Sequence, residues 1–186
     1  MTPHRLLTSA ATLLLGGCAL LPFGRGLPPP VPPLLTPASL GGAHSAAQVL
    51  HIVDGDRSFT LQCALQADSG AVTLIALGPL GQRAFSLHYD GSKLDAQASP
   101  YAPQGLPPER VLSDVQLAMW PLPAWRDQLQ GSDWKIAEPS SGLRELYFHG
   151  ELVSRVSYSA SDPWQSHINL QNLALNYSIE IEPQSP

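Results

Sequence analysis

Between Leu106 and Leu129 the chain reads LPPERVLSDVQLAMWPLPAWRDQL, the one long run with helical periodicity in a sequence that otherwise alternates and turns like antiparallel sheet. Val111, Leu112, Val115, Met119 and Leu122 gather on one apolar stripe of such a helix. Pro107 and Pro108 suit its first turn, Glu109 and Asp114 favour its N-terminal half, and Pro121 ends it near Met119. A second short helix then runs through Trp125 and Leu129. A kinked helical pair with two Trp and a Met must lie on an apolar surface, and strands on both sides in sequence supply it. The residues leave two readings open: a helix that closes a sheet's core, and a lid over an apolar cavity. Periodicity does not separate them.

The flanking segments alternate with a period of two and are punctuated by turn residues. Gln48 to Val53 turns at Asp54-Gly55-Asp56 into Arg57 to Gln66. Ala71 to Leu77 is apolar on both faces, which predicts a central strand covered on both sides. Gly78-Pro79-Leu80-Gly81 leads into Arg83 to Tyr89, and Asp90-Gly91-Ser92 into a short strand near Lys93 to Ala96. Beyond the helices, Trp134 to Glu138, Leu143 to Phe148, Leu152 to Ser159 and Gln165 to Leu170 read as strands. The alternation of Leu173, Leu175, Tyr177, Ile179 and Ile181 predicts a final strand with one buried face. No βαβ spacing occurs, so the sheet is expected to be antiparallel. The predicted class is therefore mainly β: a strongly curved antiparallel sheet over residues 46–183, with helices near 108–130 laid in its mouth.

The first residues read as export rather than fold. His4 and Arg5 precede an apolar run, Leu6 to Leu15, too short to span a bilayer. Residues 1–17 are expected to be a signal peptide. Leu15-Gly16-Gly17-Cys18 resembles the lipobox of bacterial lipoproteins, which implies cleavage before Cys18 and its lipidation. An ordinary signal peptide that happens to contain a cysteine is the alternative. Ala19 and Leu20, with no Asp beside the cysteine, imply sorting to the outer membrane. Residues 18–45 are expected to be a tether, since Leu27 to Pro37 holds six prolines in eleven residues. As polyproline II it would span roughly 34 Å as a semi-rigid spacer.

Charge narrows the partners. Charged residues make up 13% of the chain and the net charge is −5, with no basic patch interleaved with aromatics, so nucleic acid is not an expected partner. Cys63 is the only cysteine besides Cys18 and reads as a buried, inert thiol. Catalytic constellations are missing: no Gly-x-Ser-x-Gly elbow, no His-Glu-x-x-His helix, no phosphate-binding glycine loop and no metal-spaced cysteine pair. His51, His88, His149 and His167 each stand alone, and Glu180 with Glu182 reads as the solvent face of a strand. No catalytic residue, metal or cofactor is expected, and the chain is read as not an enzyme.

Three stretches, the lipobox, Leu77-Gly78-Pro79-Leu80-Gly81 and Trp120-Pro121-Leu122-Pro123, occur in the order found in the LolB family of outer-membrane lipoprotein receptors. Leu80-Gly81-Gln82-Arg83, Tyr89-Asp90-Gly91, Asp114-Val115-Gln116-Leu117 with Trp120-Pro121, and Asn172-Leu173 with Tyr177 more closely resemble an uncharacterised family of proteobacterial lipoproteins. Members of that family are typically encoded beside fatty-acid-synthase-like clusters for aryl polyene lipids. The resemblance implies a half-closed antiparallel barrel, a half-barrel with a helical lid, enclosing an apolar cavity that takes acyl chains, and an exposed loop leucine, here Leu80, that dips into the bilayer. It implies an outer-membrane, periplasm-facing lipoprotein. The cargo would be an acyl or aryl polyene lipid or a lipoprotein's acyl chains, with a soluble periplasmic carrier as a further candidate partner. Gly78 in place of the receptor's Asn, and the proline stalk, depart from the receptor pattern. Chosen for bulk and position, Phe85, Leu87, Met119, Trp120, Leu122, Trp125 and Leu129 are the cavity candidates. A structural or interaction lipoprotein with a filled core, scaffolding a partner at the membrane, is the competing reading.

Overall fold

The computed structural model describes residues 28–103, 105 and 107–184; the expected signal segment 1–17 and Cys18 lie outside the described residues. Ten strands form one sheet: β1 (His44–Asp54), β2 (Arg57–Ala67), β3 (Val72–Leu77), β4 (Arg83–Tyr89) and β5 (Leu94–Ala98) precede the helices. After α1 (Pro108–Met119) and α2 (Leu122–Gln128) come β6 (Trp134–Ser140), β7 (Leu143–Phe148), β8 (Glu151–Tyr158), β9 (Ile168–Asn172) and β10 (Tyr177–Pro183). The spatial order is β5-β4-β3-β2-β1-β10-β9-β8-β7-β6. Two five-strand meanders are thus stitched together by the antiparallel pair β1–β10, with Leu50 opposite Ile181 and Ile52 opposite Ile179. Every pairing is antiparallel, as short turn connections require.

Curvature follows from dimensions. Ten strands about 4.8 Å apart would make a flat sheet roughly 43 Å wide. A helix of α1's length covers only about 18 Å. Yet α1 packs against β5 and α2 against β6, the two opposite edges. The sheet must therefore wrap around the helical pair.

One face of the sheet carries the core. Leu61, Cys63, Leu65 and Ala67 alternate inward along β2, and Val72, Leu74 and Ala76 along β3. The expectation that β3 is covered on both faces fails, because Ile75 on its outer side is exposed. The final strand is also shorter than the alternation predicts. Chain 173–176 forms a turn with Leu173 exposed and Asn176 at φ 57°, and β10 begins at Tyr177. Asn172 specifies that turn by accepting from the Leu175 N–H at 2.9 Å on its side-chain oxygen. Similarly, Pro163–Gln165 is a 3₁₀ turn capped by Asp162, so β9 starts only at Ile168.

The proline-rich segment departs from a free spacer. From Pro29 it runs along α1, and Leu35 is only 1% exposed, inside the core. Arg110 donates to the Pro29 and Pro30 carbonyls at 3.1 and 3.2 Å. The Gln116 side chain both accepts from the Leu35 N–H (2.9 Å) and donates to the Leu35 carbonyl (2.7 Å). The Trp120 indole reaches the Thr36 carbonyl at 3.5 Å. Prolines cannot pair with a strand edge, but their extended backbone leaves carbonyls bare for helix side chains. Further along, Pro37 lies against Gly91, where a Cβ would sit 3.1 Å from the proline ring and φ is 94°. Only glycine suits that turn.

Candidate functional site

Helix α1 packs against β5 and β9, and its two ends are held differently. At its C-terminus, Arg144 of β7 donates to the Leu117 and Trp120 carbonyls at 2.7 and 2.8 Å, and Tyr158 of β8 to the Ala118 carbonyl at 2.9 Å. These are carbonyls that no helical N–H can reach, and a cation there complements the helix dipole. Glu138 accepts from Arg144 at 3.0 Å. Trp125 of α2 donates to the Gln116 carbonyl at 3.1 Å, packing the second helix onto the first. The N-terminus, at Pro107, has no side-chain cap.

Beneath the N-terminal half of α1 lies a cavity of about 110 Å³. Its deep wall is made by Gln48, Cys63, Leu74, Met119 and Leu170, all buried. Leu50, Phe85, Val111, Val115 and Ile179 also line it but are only half-buried, although their pairing and periodicity point them inward. Ala96 and Ala98 of β5 line it and are exposed, which puts the mouth beside that edge strand and Ala102 and Pro103 just after it. Inward-facing apolar groups that stay accessible distinguish a lumen from packed core.

Of the residues expected at a cavity, Phe85, Leu87 and Met119 are on its wall. Trp120, Trp125 and Leu129 are buried in the core and Leu122 is half-buried at the start of α2, all four away from the lumen. Bulk led to the tryptophans, and bulk is what fills the space between α1, α2 and the proline segment. The wall is built instead from medium-sized side chains on α1's other face, Val111 and Val115.

Sequence reasoning missed the polar groups on this wall. Asp114 is buried and accepts from the Tyr177 hydroxyl, which in turn accepts from the Asn172 amide at 3.2 Å. Burial pushes the Asp114 carboxyl up to about 7, opposed by the Tyr177 hydroxyl and by nearby Arg110. Tyr177 is pushed up by burial and by the Asp114 charge. Gln48 was legible as the polar member of an inward-facing set with Leu50 and Ile52. Burial pushes the Cys63 thiol up to about 12, so it stays protonated and inert. Among the described residues no three His, Cys, Asp or Glu side chains converge as metal ligands, and no helix is long and apolar enough to cross a membrane.

Leu80 sits at the tip of the β3–β4 turn and is 92% exposed. The Gly81 N–H donates to the Gly78 carbonyl at 2.9 Å, placing Pro79 and Leu80 at the turn's centre. Gln82 folds its amide over Gly78 and accepts from the Leu80 N–H at 3.1 Å. A Cβ on Gly78 would meet that amide at 2.4 Å, a contact that the flexible Gln82 side chain would have to swing away to relieve. Strand directions place this turn at the same end of the sheet as residues 99–103 and the 173–176 turn. Among the described residues, four of the five large exposed apolar side chains, Val53, Leu80, Tyr101 and Leu173, lie at that end, the end of the mouth.

The family model described as "Protein of unknown function (DUF3261)" matches residues 45–185. None of the curated proteins matches the chain. Among solved structures, it is similar to a crystal structure from Vibrio parahaemolyticus provisionally described as an outer membrane lipoprotein-sorting protein domain. The TM-score is 0.42 at 10% identity, over 77% of this chain and 84% of that one.

Proposed function

Taking as premise that the chain belongs to the DUF3261 family of unknown function, we propose that it is a non-enzymatic carrier or acceptor of a lipidic cargo at the outer membrane. The observation that carries this reading is the apolar lumen whose inward residues Leu50, Phe85, Val111, Val115 and Ile179 remain accessible through a mouth beside β5. A lumen of about 110 Å³ is smaller than the ~150 Å³ cavity that accepts benzene in an engineered protein. It therefore shelters one end of a chain, and a long chain enters fully only if the uncapped end of α1 moves away from β5.

The mouth's end supports attachment to a bilayer. Leu80 transferred from water to lipid contributes roughly 1.5–3 kcal/mol, enough to orient a protein that is already anchored. Lipidation at Cys18, after removal of residues 1–17, supplies that anchor at ~0.8 kcal/mol per buried CH₂. Ten residues, eleven Cα-to-Cα steps, separate Cys18 from Pro29, a reach of at most about 40 Å. Because Pro29 meets the N-terminal half of α1, the anchor holds the mouth near the membrane. Cargo would be an acyl or polyene lipid or lipoprotein acyl chains, received from a soluble periplasmic carrier.

Native mass spectrometry of the full chain taken from its own membranes tests the reading. A co-purifying lipid mass that leaves on denaturation is the expected result. A clean apo mass with no uptake of added acyl lipids would overturn it in favour of a scaffold with a filled core. Cys18→Ala should release the protein from membranes, and continued membrane association would sink the lipid anchor. Leu80→Glu should slow transfer to vesicles with anchoring intact.

A further inference from the structure

The deep end of the lumen holds a polar group that nothing in the fold explains. Gln48 is 4% exposed, lines the cavity, and its side-chain Nε2 has no hydrogen-bond partner among the described residues. A buried amide donor without an acceptor is costly, and a fold has no reason of its own to place one among Cys63, Leu74 and Met119. Its neighbours along β1 on the same face are Leu50 and Ile52, so an apolar residue fits the strand pattern at this position. On the reading that the lumen is a lipid site, which this inference deepens, the amide is a recognition group.

We propose that Gln48 is the head-group subsite for a single-chain carboxylic acid, a fatty acid bound head-inward as the neutral acid. A primary amide carries a donor and an acceptor side by side, and so does an un-ionised carboxyl; the two close a ring of two hydrogen bonds whichever way the amide is turned. An ester supplies only an acceptor, and a hydroxyl cannot reach both amide atoms in one plane. The deep wall is apolar, which disfavours a charged carboxylate there. Depth sets the orientation: Gln48 lies with the fully buried wall residues, whereas the exposed Ala96 and Ala98 mark the mouth. The head therefore enters first and the tail trails past Val111 and Phe85 toward β5. A doubly or triply acylated cargo, with its carbonyls at the far end of its chains, would place none of them at Gln48.

The test titrates the full chain, held in phospholipid nanodiscs, with decanoic acid, methyl decanoate and decane at about pH 5, near the ordinary carboxyl range. Empty nanodiscs serve as blank. The acid is expected to bind about tenfold more tightly than the ester, the worth of one further neutral hydrogen bond. Gln48→Leu should abolish that preference, the acid losing two hydrogen bonds and the ester one while decane is still taken up, with thermal denaturation certifying its fold; Gln48→Met gives the same readout should the leucine variant not fold. Equal binding of acid and ester, unaltered by the substitution, would overturn the subsite while leaving the lumen a lipid site. Equal loss of acid and ester in the variant would overturn the pairing with the acid specifically. No binding of any of the three would overturn the carrier reading itself.

Discussion

The two halves of the sheet meet the helices in opposite ways. On the β7–β8 side, Arg144 and Tyr158 reach across to the end of α1, and Leu146, Val153 and Val156 fill the space beneath it. On the β1–β5 side the inward residues are equally apolar, yet Leu50 and Phe85 keep accessible surface and the helix start carries no cap. Composition does not make this difference. Satisfied polar contacts do: where side chains complete the helix's open carbonyls the packing is tight, and where none do a lumen remains. A lid that must hold its place and also give way needs one end of each kind.

The comparison breaks most severely at Arg144. Replacing it with Met should cost about 3 kcal/mol in chemical denaturation, because two buried carbonyls lose their donor. A paired substitution sharpens the contrast: Val156→Phe, in the filled half, should destabilise by about 1–3 kcal/mol through overpacking. Val115→Phe, on the lumen wall, should be near neutral for stability but block acyl-chain uptake. Equal penalties for the two would mean that the lumen is not usable space. Next in size, Gln116→Leu should cost about 1–2 kcal/mol and remove the hydrogen-exchange protection of the Leu35 amide.

Asp114 gives a pH signature confined to the lumen side. Its folded pKa, raised to about 7, lies above the ordinary carboxyl value, so the folded state holds a proton that the unfolded chain has lost. Stability from this group is full below about pH 4 and declines as pH rises toward about 7. Asp114→Asn should flatten that stretch of the stability profile. The smallest effect is expected at Leu80→Glu, within about 0.5 kcal/mol, since the side chain touches little.

Period and punctuation make the architecture readable: nine or so strands, where the sheet has ten, the break at Pro121 and the meanders on either side of one helical pair all follow from them. Local chemistry moved two boundaries. Asn172 turns the chain where alternation alone would begin a strand at Leu173, and Asp162 caps a 3₁₀ turn where β9 would start early. The site was less legible, because lumen and core use the same residues. Trp120 and Trp125 outrank Val111 and Val115 in size, and only depth of packing tells which pair fills space and which borders it. The partners of Asp114 and Gln116 lie more than sixty residues away in sequence, so no window along the chain could join them.

The strap formed by residues 29–36 also has a mechanical meaning. It lies along α1 from Arg110 to Trp120 before the chain becomes β1, and its backbone is gripped at Leu35 by both atoms of one amide. Tension on an N-terminal tether is therefore delivered to the helix before it reaches the sheet. It loads the Arg110 contacts at the free end of α1 first and the Gln116 grip second. A pull on the chain ahead of Pro29 would act on the cover of the lumen before it acts on the ten-stranded frame.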